Sequence, residues 1–214
     1  MNFDELTRFL EKRVQKSMPG ADAQLKMKPR MANGAPLRMK HATPPRKGGV
    51  LILLFPDNDV VRFALIQRPD YEGIHGGQMA LPGGRYEEED KDQIQTALRE
   101  SEEEIGVDKS KIEIIGSLSE FFVAASNYMV LPVIGKMNFK PTFVPEPREV
   151  DDIVTPPLKD LINPSRLKEK EIVVRSGYKL ICPYFDLQGR TVWGATAMML
   201  GELVEILKEF EQSR

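Results

Sequence analysis

Apolar and polar positions change period several times along the chain, and each change marks an element. Phe3, Leu6, Phe9 and Leu10, with Val14 beyond, recur at helical spacing and Pro19-Gly20 ends the pattern, which predicts a short amphipathic helix. From Ala21 to Gly49 the chain is rich in Pro, Met and Lys and too irregular for an element. We expect an arm there that wraps the domain surface or forms part of a subunit contact, so a homodimer is one expectation. Gly49 to Phe55 is a nearly continuous apolar run, the pattern of a core strand, and Pro56 to Asp59 is turn chemistry. Val60 to Arg68 then returns as the second strand of a hairpin, followed by a glycine-rich loop from Pro69 to Gln78.

Further on, Ile112 to Leu118 and Tyr128 to Gly135 read as strands joined by an apolar loop, Glu120 to Asn127. A proline-punctuated loop, Pro141 to Pro147, leads into Arg148, Glu149, Val150 and Asp151, and Pro157 to Ile162 looks like one or two helical turns. Glu171 to Arg175 and Tyr178 to Phe185 form a hairpin about Ser176-Gly177, and Thr191 to Trp193 is a short strand. Leu200, Leu203, Val204, Leu207 and Phe210 stripe a closing helix from about Ala195 to Glu211. Strands interleaved with two substantial helices predict an α/β layered domain. No internal repeat or clear linker divides the chain, so we expect residues 1–48 to pack as a helix and basic arm on one domain spanning residues 49–214.

Composition narrows the class. With 214 residues, 41% hydrophobic and 29% charged, the chain has enough material for one filled core with additions. No apolar run approaches the roughly 20 residues of a membrane span, and the amino terminus lacks the order of a secretion signal. The expectation is a cytoplasmic protein without membrane partners. A single Cys182 and two histidines, His41 and His75, exclude an internal disulfide and a zinc cluster, and Cys182 in LICPYF reads as a buried apolar side chain. The net charge of −2 hides an asymmetry: residues 1–49 carry eleven Lys and Arg against four Asp and Glu, which leaves nineteen against twenty-eight for the remainder. From Lys12 to Lys47 no Phe, Tyr or Trp interleaves the basic charges, so the arm reads as solvated and a nucleic-acid partner is not expected.

The densest chemistry lies between Leu81 and Val107, LPGGRYEEEDKDQIQTALRESEEEIGV. If Asp90 opens a helix and Gly106 ends it, then Ile94, Ala97, Leu98 and Ile105 form one buried stripe, which Ser101 also joins. At about 100° per residue, Glu100, Glu103 and Glu104 gather on one face turned away from it. Like charges at that spacing repel, and in a last turn the helix dipole disfavours them. A hard divalent cation bound through oxygen is the natural counter-charge.

These residues resemble the Nudix box, G-x5-E-x7-R-E-U-x-E-E-x-G-U with U aliphatic. RESEEEIGV matches its second half, with Ser101 in the first aliphatic place. In the first half Gly84 is followed by five residues and then Asp90, with eight rather than seven before Arg99. An added residue, with Asp for Glu, resembles the coenzyme A pyrophosphatase branch. That branch also carries an upstream motif, roughly L-L-T-x-R-S-x3-R-x3-G-x3-F-P-G-G, of which this chain keeps Arg68, Gly77 and Pro82-Gly83-Gly84 in register. It departs at Ile66 for Thr, Pro69 for Ser, Gly73 for the second Arg and Leu81 for Phe. Losing that Arg removes a phosphate donor, which Arg62, Arg148 or the basic arm would have to replace.

The resemblance implies a Nudix-like α/β/α sandwich with a mixed sheet between helices. It also implies hydrolysis of a nucleoside diphosphate derivative assisted by Mg²⁺ or Mn²⁺, with coenzyme A or a derivative cut to 3′,5′-ADP and 4′-phosphopantetheine. ADP-ribose or a similar compound is the alternative substrate, and a non-catalytic ligand-sensing domain is a third reading. By the same resemblance the metal falls to Glu100, Glu103, Glu104 and the carbonyl of Gly84, and Arg99 orients the carboxylates. Asp90 either holds Arg99 or caps the helix, and the general base is Glu100 or Glu149. Arg68, His75 and Gln78 are the candidate substrate-binding side chains.

Overall fold

The computed structural model describes residues 1–37, 39–70, 75–174 and 177–214. In chain order its elements are α1 (Phe3–Arg13), α2 (Gly20–Gln24), β1 (Arg30–Met31), β2 (Arg46–Asp57), β3 (Val60–Phe63), β4 (Leu65–Gln67), β5 (Met79–Ala80) and β6 (Gly83–Arg85). There follow α3 (Gln93–Ile105), β7 (Glu113–Ser117), β8 (Phe121–Val123), β9 (Tyr128–Lys136), β10 (Asp152–Val154), β11 (Leu167–Val173), β12 (Lys179–Leu187), β13 (Arg190–Trp193) and α4 (Gly194–Gln212).

The largest sheet runs β3-β2-β9-β7, with β6 also paired to β2 and β8 to β9. It is mixed: β2 and β9 are parallel from Arg46 opposite Tyr128 to Leu54 opposite Lys136, and the other pairs are antiparallel. Leu51 to Phe55 are fully buried because both faces of β2 are covered, which explains a continuous apolar run rather than alternation. Leu51, Leu53 and Phe55 pack with Ala97, Leu98 and Ile105 of α3. Ile52 and Leu54 pack on the other side with Leu6 and Leu10 of α1 and Leu200, Leu203 and Leu207 of α4. The layers are helix, mixed sheet, helix, the α/β/α arrangement expected. Gly49 sets how close α3 lies to β2, since a Cβ there would stand 2.1 Å from the carbonyl oxygen of Gln93.

Two smaller sheets complete the molecule. One is β10-β4-β5; the other places β1, β11 and β13 around β12. Val60 to Arg68, expected as one strand, is therefore two strands in two sheets with the break at Ala64. Phe63 through Ile66 are all fully buried, so the apolar pattern carries no trace of that break. The turn before it is only Asn58-Asp59, with Asn58 at φ 55°, because Pro56 and Asp57 still pair with β3. The loop Glu120 to Asn127 contains β8, and β5, β6 and β10 are two or three residues long, too short to show a period. The last hairpin exists with longer strands; Arg175 and Ser176 lie outside the described residues.

The segment Ala21 to Gly49 is more ordered than its composition suggests. Pro19-Gly20 does not end α1, which stops at Arg13 with Val14 as its cap; α2 starts at Gly20 itself. Ala23 and Met27 are buried, and Met27 comes within 3.0 Å of where a Cβ on Gly201 of α4 would stand. The dock is sealed by Glu202, fully buried on α4, which accepts hydrogen bonds from the Gly20 N–H (2.8 Å), Gln24 Nε2 (2.9 Å) and Ser119 Oγ (2.7 Å). Arg30 and Met31 then pair with Ile181 and Leu180. No helix among the described residues is long and apolar enough to cross a membrane.

Candidate active site

Local sequence builds α3 as a short lever. Its cap is Asp92, whose carboxylate accepts from the Gln95 N–H at 2.9 Å, so the helix starts at Gln93 and Asp90 does not open it. Gly106 ends it in the left-handed region at φ 69°, against Val144. Asp90 is buried instead in the loop before α3, accepting from Arg99 Nε and Nη2, both at 3.0 Å, and from Thr96 Oγ1 at 2.9 Å. Those bonds, Arg99's above all, hold the Asp90 carboxyl down at about 2. The two roles weighed for this residue resolve to the grip on Arg99.

Arg99 is the hub of the box. Besides Asp90 it donates to the carbonyl of Arg85 (2.9 Å) and ion-pairs through Nη1 with Glu103 (3.0 Å) and Glu100 (3.1 Å). The three glutamates consequently differ. Glu103 is the exposed one, its side chain 56% accessible. Glu100 is tucked against β6: a Cβ on Gly84 would lie 2.5 Å from its carboxylate. Glu104, expected on the face turned away from the buried stripe, is 2% exposed, and its carboxylate accepts from the Gly83 N–H at 2.7 Å with Arg68 Nη2 3.7 Å away. It escapes the solvated face because β6 covers that side of the last helical turn. Burial raises its pKa to about 7, and the charges of Glu100 and Glu149 add to the rise. Burial also raises Glu100, again with Glu103 and Glu149 contributing. Glu149 therefore acts on the same carboxylates from the loop between β9 and β10. That loop is pinned to the end of α3, the N–H groups of Val144 and Glu146 donating to the carbonyls of Ile105 (2.9 Å) and Glu104 (3.0 Å).

On the other side of β6 opens a cleft of about 320 Å³. Gly83, Gly84 and Arg85 form one wall, Val50, Val123, Tyr128 and Val130 the apolar floor, and Ala195, Thr196 and Met199 of α4 the far side. Arg68, His75 and Gln78 all line it. Arg68, however, also donates to the Gly83 carbonyl at 3.2 Å, and His75 Nδ1 stands 3.5 Å from Gln78 Oε1. Burial lowers the His75 pKa, which keeps the ring neutral. Of the cations considered as replacements for the missing arginine, Arg62 is paired with Asp57 at 2.9 Å and does not line the cleft. Gly73 itself lies outside the described residues. Cys182 is fully buried, its thiol pushed up to about 11, and takes no part.

The sequence left three contributors unseen. Gln93 Nε2 donates to the Gly48 carbonyl at 2.8 Å, tying the start of α3 to β2. Arg85 lines the cleft, and Arg46 stands over the Tyr128 ring, its guanidinium carbon 4.3 Å from the centroid. Residues so far apart in the chain meet only through strand register, which no local pattern encodes.

Glutamate carboxylates beside a backbone carbonyl are oxygen donors of the kind that hold Mg²⁺ or Mn²⁺. Among the described residues no three acidic, histidine or cysteine side chains already stand as a closed ligand cluster. Glu103 would have to leave Arg99 to join Glu100 and Glu104. The fit lies in the donor chemistry and in the bare Cα of Gly84, which leaves the Glu100 carboxylate room against the strand.

Comparison with known proteins places this geometry. The model of the NUDIX domain matches residues 45–175. Nudix hydrolase 15, mitochondrial, of Arabidopsis thaliana is 38% identical over 165 residues, covering 73% of this chain and 56% of that protein. Nudix hydrolase 22, chloroplastic, of the same plant is 35% identical over 175 residues, covering 78% and 55%. The chain thus spans just over half the length of these two relatives. NudL of Yersinia pestis (strain Pestoides F), an uncharacterized Nudix hydrolase, is 31% identical over 143 residues, covering 66% and 70%. The fold is shared with a C. elegans Ap4A hydrolase binary complex (TM-score 0.51, 16% identity, covering 79% of this chain and 99% of that one). It is shared also with a MutT/nudix family protein from Enterococcus faecalis (TM-score 0.50, 15% identity, covering 98% and 75%). With the box folded around Arg99 and the family model spanning residues 45–175, the chain belongs to the Nudix family.

Proposed function

We propose that this protein is a Mg²⁺- or Mn²⁺-dependent pyrophosphohydrolase that cuts coenzyme A or a derivative into 3′,5′-ADP and 4′-phosphopantetheine. The observation that carries the reading is Gly84, which abuts the Glu100 carboxylate and also lines the cleft, so a diphosphate in the cleft and the acidic helix meet across this one residue of β6. Glu100, Glu103, Glu104 and the Gly84 carbonyl would hold the metal, which when bound draws charge from the diphosphate and acidifies a water. The water oxygen forms a bond to phosphorus, one anhydride P–O bond breaks, and the released proton passes to Glu149 or Glu100. Arg99 positions Glu100 and Glu103 between these events.

Coenzyme A is favoured over other diphosphates by the extra box residue, by Asp90 and by the retained upstream residues Arg68, Gly77 and Pro82-Gly83-Gly84. The apolar floor suits a pantetheine arm. Gly73 in place of the second arginine favours the other reading, ADP-ribose or a related nucleoside diphosphate compound. A substrate panel with product identification decides: we expect 3′,5′-ADP and 4′-phosphopantetheine from coenzyme A with Mg²⁺ or Mn²⁺, and none after chelation. Cleavage of ADP-ribose with coenzyme A left intact overturns the substrate. Turnover unaffected by Glu103→Gln and Glu104→Gln, where we expect a loss of at least about tenfold, or ~1.4 kcal/mol of barrier, overturns the site.

A further inference from the structure

Strand register gathers two arginines at the mouth of the cleft. Arg46 faces Tyr128 across the parallel β2–β9 pair, and Gly48, two residues on, faces both Val130 on β9 and Arg85 on β6. Paired residues share a face and alternate residues return to it, so Arg46, Gly48 and Arg85 all present the face that Val50, Tyr128 and Val130 give to the cleft. Arg46 and Arg85 are diagonal neighbours in this lattice, about 7–8 Å apart at the backbone. Gly48 has no side chain between them, because a Cβ there would stand 2.6 Å from the Gly84 carbonyl oxygen and 3.5 Å from the Tyr128 ring. The Gly84 carbonyl and the Tyr128 ring close over the buried Gly48, with an arginine on either side.

Both arginines are available. Both are exposed, and among the described residues neither has a carboxylate partner, although Glu87, Glu88 and Glu89 lie just past Tyr86 after β6. The Arg46 guanidinium already stands over the Tyr128 ring and donates one hydrogen bond, to the Ser126 carbonyl at 3.3 Å. Contact with the ring restricts the side chain while most of its five donors stay without a protein acceptor among the described residues, which leaves them for a phosphate at little further loss of freedom. Arg68, the other arginine on the cleft, is committed to Gly83 and Glu104 beside the box. Cationic groups therefore stand at two separate places on the cleft.

We infer that Arg46 and Arg85, exposed on one face of the sheet on either side of Gly48, form a specificity subsite for a phosphomonoester carried by the substrate in addition to its diphosphate. This rests on the diphosphate being cut in the same cleft, and it supplies from the amino-terminal arm and β6 the anion donors that Gly73 cannot. A substrate with a phosphorylated ribose satisfies it; one with two free ribose hydroxyls leaves both arginines without an anion.

The test is binding of adenosine 3′,5′-bisphosphate and of AMP to the full chain at low salt, measured by calorimetry. Wild type should bind the bisphosphate at least about fivefold more tightly, and the double variant Arg46→Gln/Arg85→Gln should erase that ratio while its melting temperature stays unchanged. Arg30→Gln, which removes a distant surface charge, should keep the ratio. A wild-type ratio below about fivefold, or a ratio retained by the double variant, overturns the subsite. Arg46→Lys separates stacked donor from bare charge: we expect it to lose most of the preference. If coenzyme A proves not to be hydrolysed while the bisphosphate preference holds, the substrate proposed above falls and this subsite stands; hydrolysis without the preference does the reverse.

Discussion

At the scale of single residues, the box is an exercise in unequal carboxylates. Asp90 is held charged by Arg99, and Glu104 is pressed towards neutrality by β6. Their contributions to stability run in opposite directions with pH. The depressed Asp90 adds stability that is complete above about pH 4 and disappears as the pH falls towards 2. Asp90→Asn should therefore cost on the order of 1–2 kcal/mol at neutral pH, with the wild-type advantage in chemical denaturation vanishing near pH 2. The raised Glu104 does the opposite: above its ordinary pKa the native state must either keep the proton or carry a desolvated charge, so metal-free stability declines from about pH 4.5 to 7. Glu104→Gln keeps an acceptor for the Gly83 N–H and should be more stable than wild type at pH 8 in the absence of metal, and equal to it near pH 4. Parallel denaturation midpoints for the two proteins across that range would show that burial of Glu104 carries no such penalty.

Elements are set by a few contacts that side-chain pattern does not display. The apolar stripe of α3 was legible because burial on one side of a helix imposes its own period; its start was not, since Asp90 and Asp92 are equally good caps on paper and only Arg99 at 3.0 Å draws Asp90 away. Nor did the sequence set Glu104 apart from Glu100 and Glu103, its burial depending on a three-residue strand with no period of its own. Gly49 is the corresponding device between elements. Gly49→Ala would drive a methyl to within 2.1 Å of the Gln93 carbonyl, and lifting α3 off β2 should destabilise the fold by about 3 kcal/mol and displace Glu100 from Gly84. A denaturation midpoint matching wild type would show that the layers can part without loss. The exposed edge strand β11 has its own protection: Lys168, Glu169, Lys170 and Glu171 alternate along it, and each is already engaged within the sheet. An edge of that kind resists pairing with a second chain.

Across the whole molecule, the family match begins at residue 45, yet the core does not. Leu6, Leu10 and Met27 belong to the same cluster as Ile52, Leu54 and the buried face of α4, and Glu202 accepts its bonds from Gly20 and Gln24. Removing residues 1–44 would uncover that face and leave the Glu202 carboxylate with Ser119 as its remaining donor. We expect the truncated chain to be insoluble or to unfold without a cooperative transition in circular dichroism. A soluble fragment with a sharp transition would make the arm an accessory.

What the amino-acid order determined by itself was whatever is local: the helical stripes, the apolar run of β2, the box from Gly84 to Gly106 and so the family. Periodicity and motif spacing are properties of neighbours in the chain, and a buried face or a ligand set on one helix must be written there. Tertiary structure alone decided which carboxylate is buried, where Val60 to Arg68 breaks between two sheets, how the arm docks, and that Arg46, Arg85 and Tyr128 share one face of the main sheet. Those outcomes come from pairing strands dozens of residues apart, and the energy of such pairing is spread over a register rather than held in any one segment.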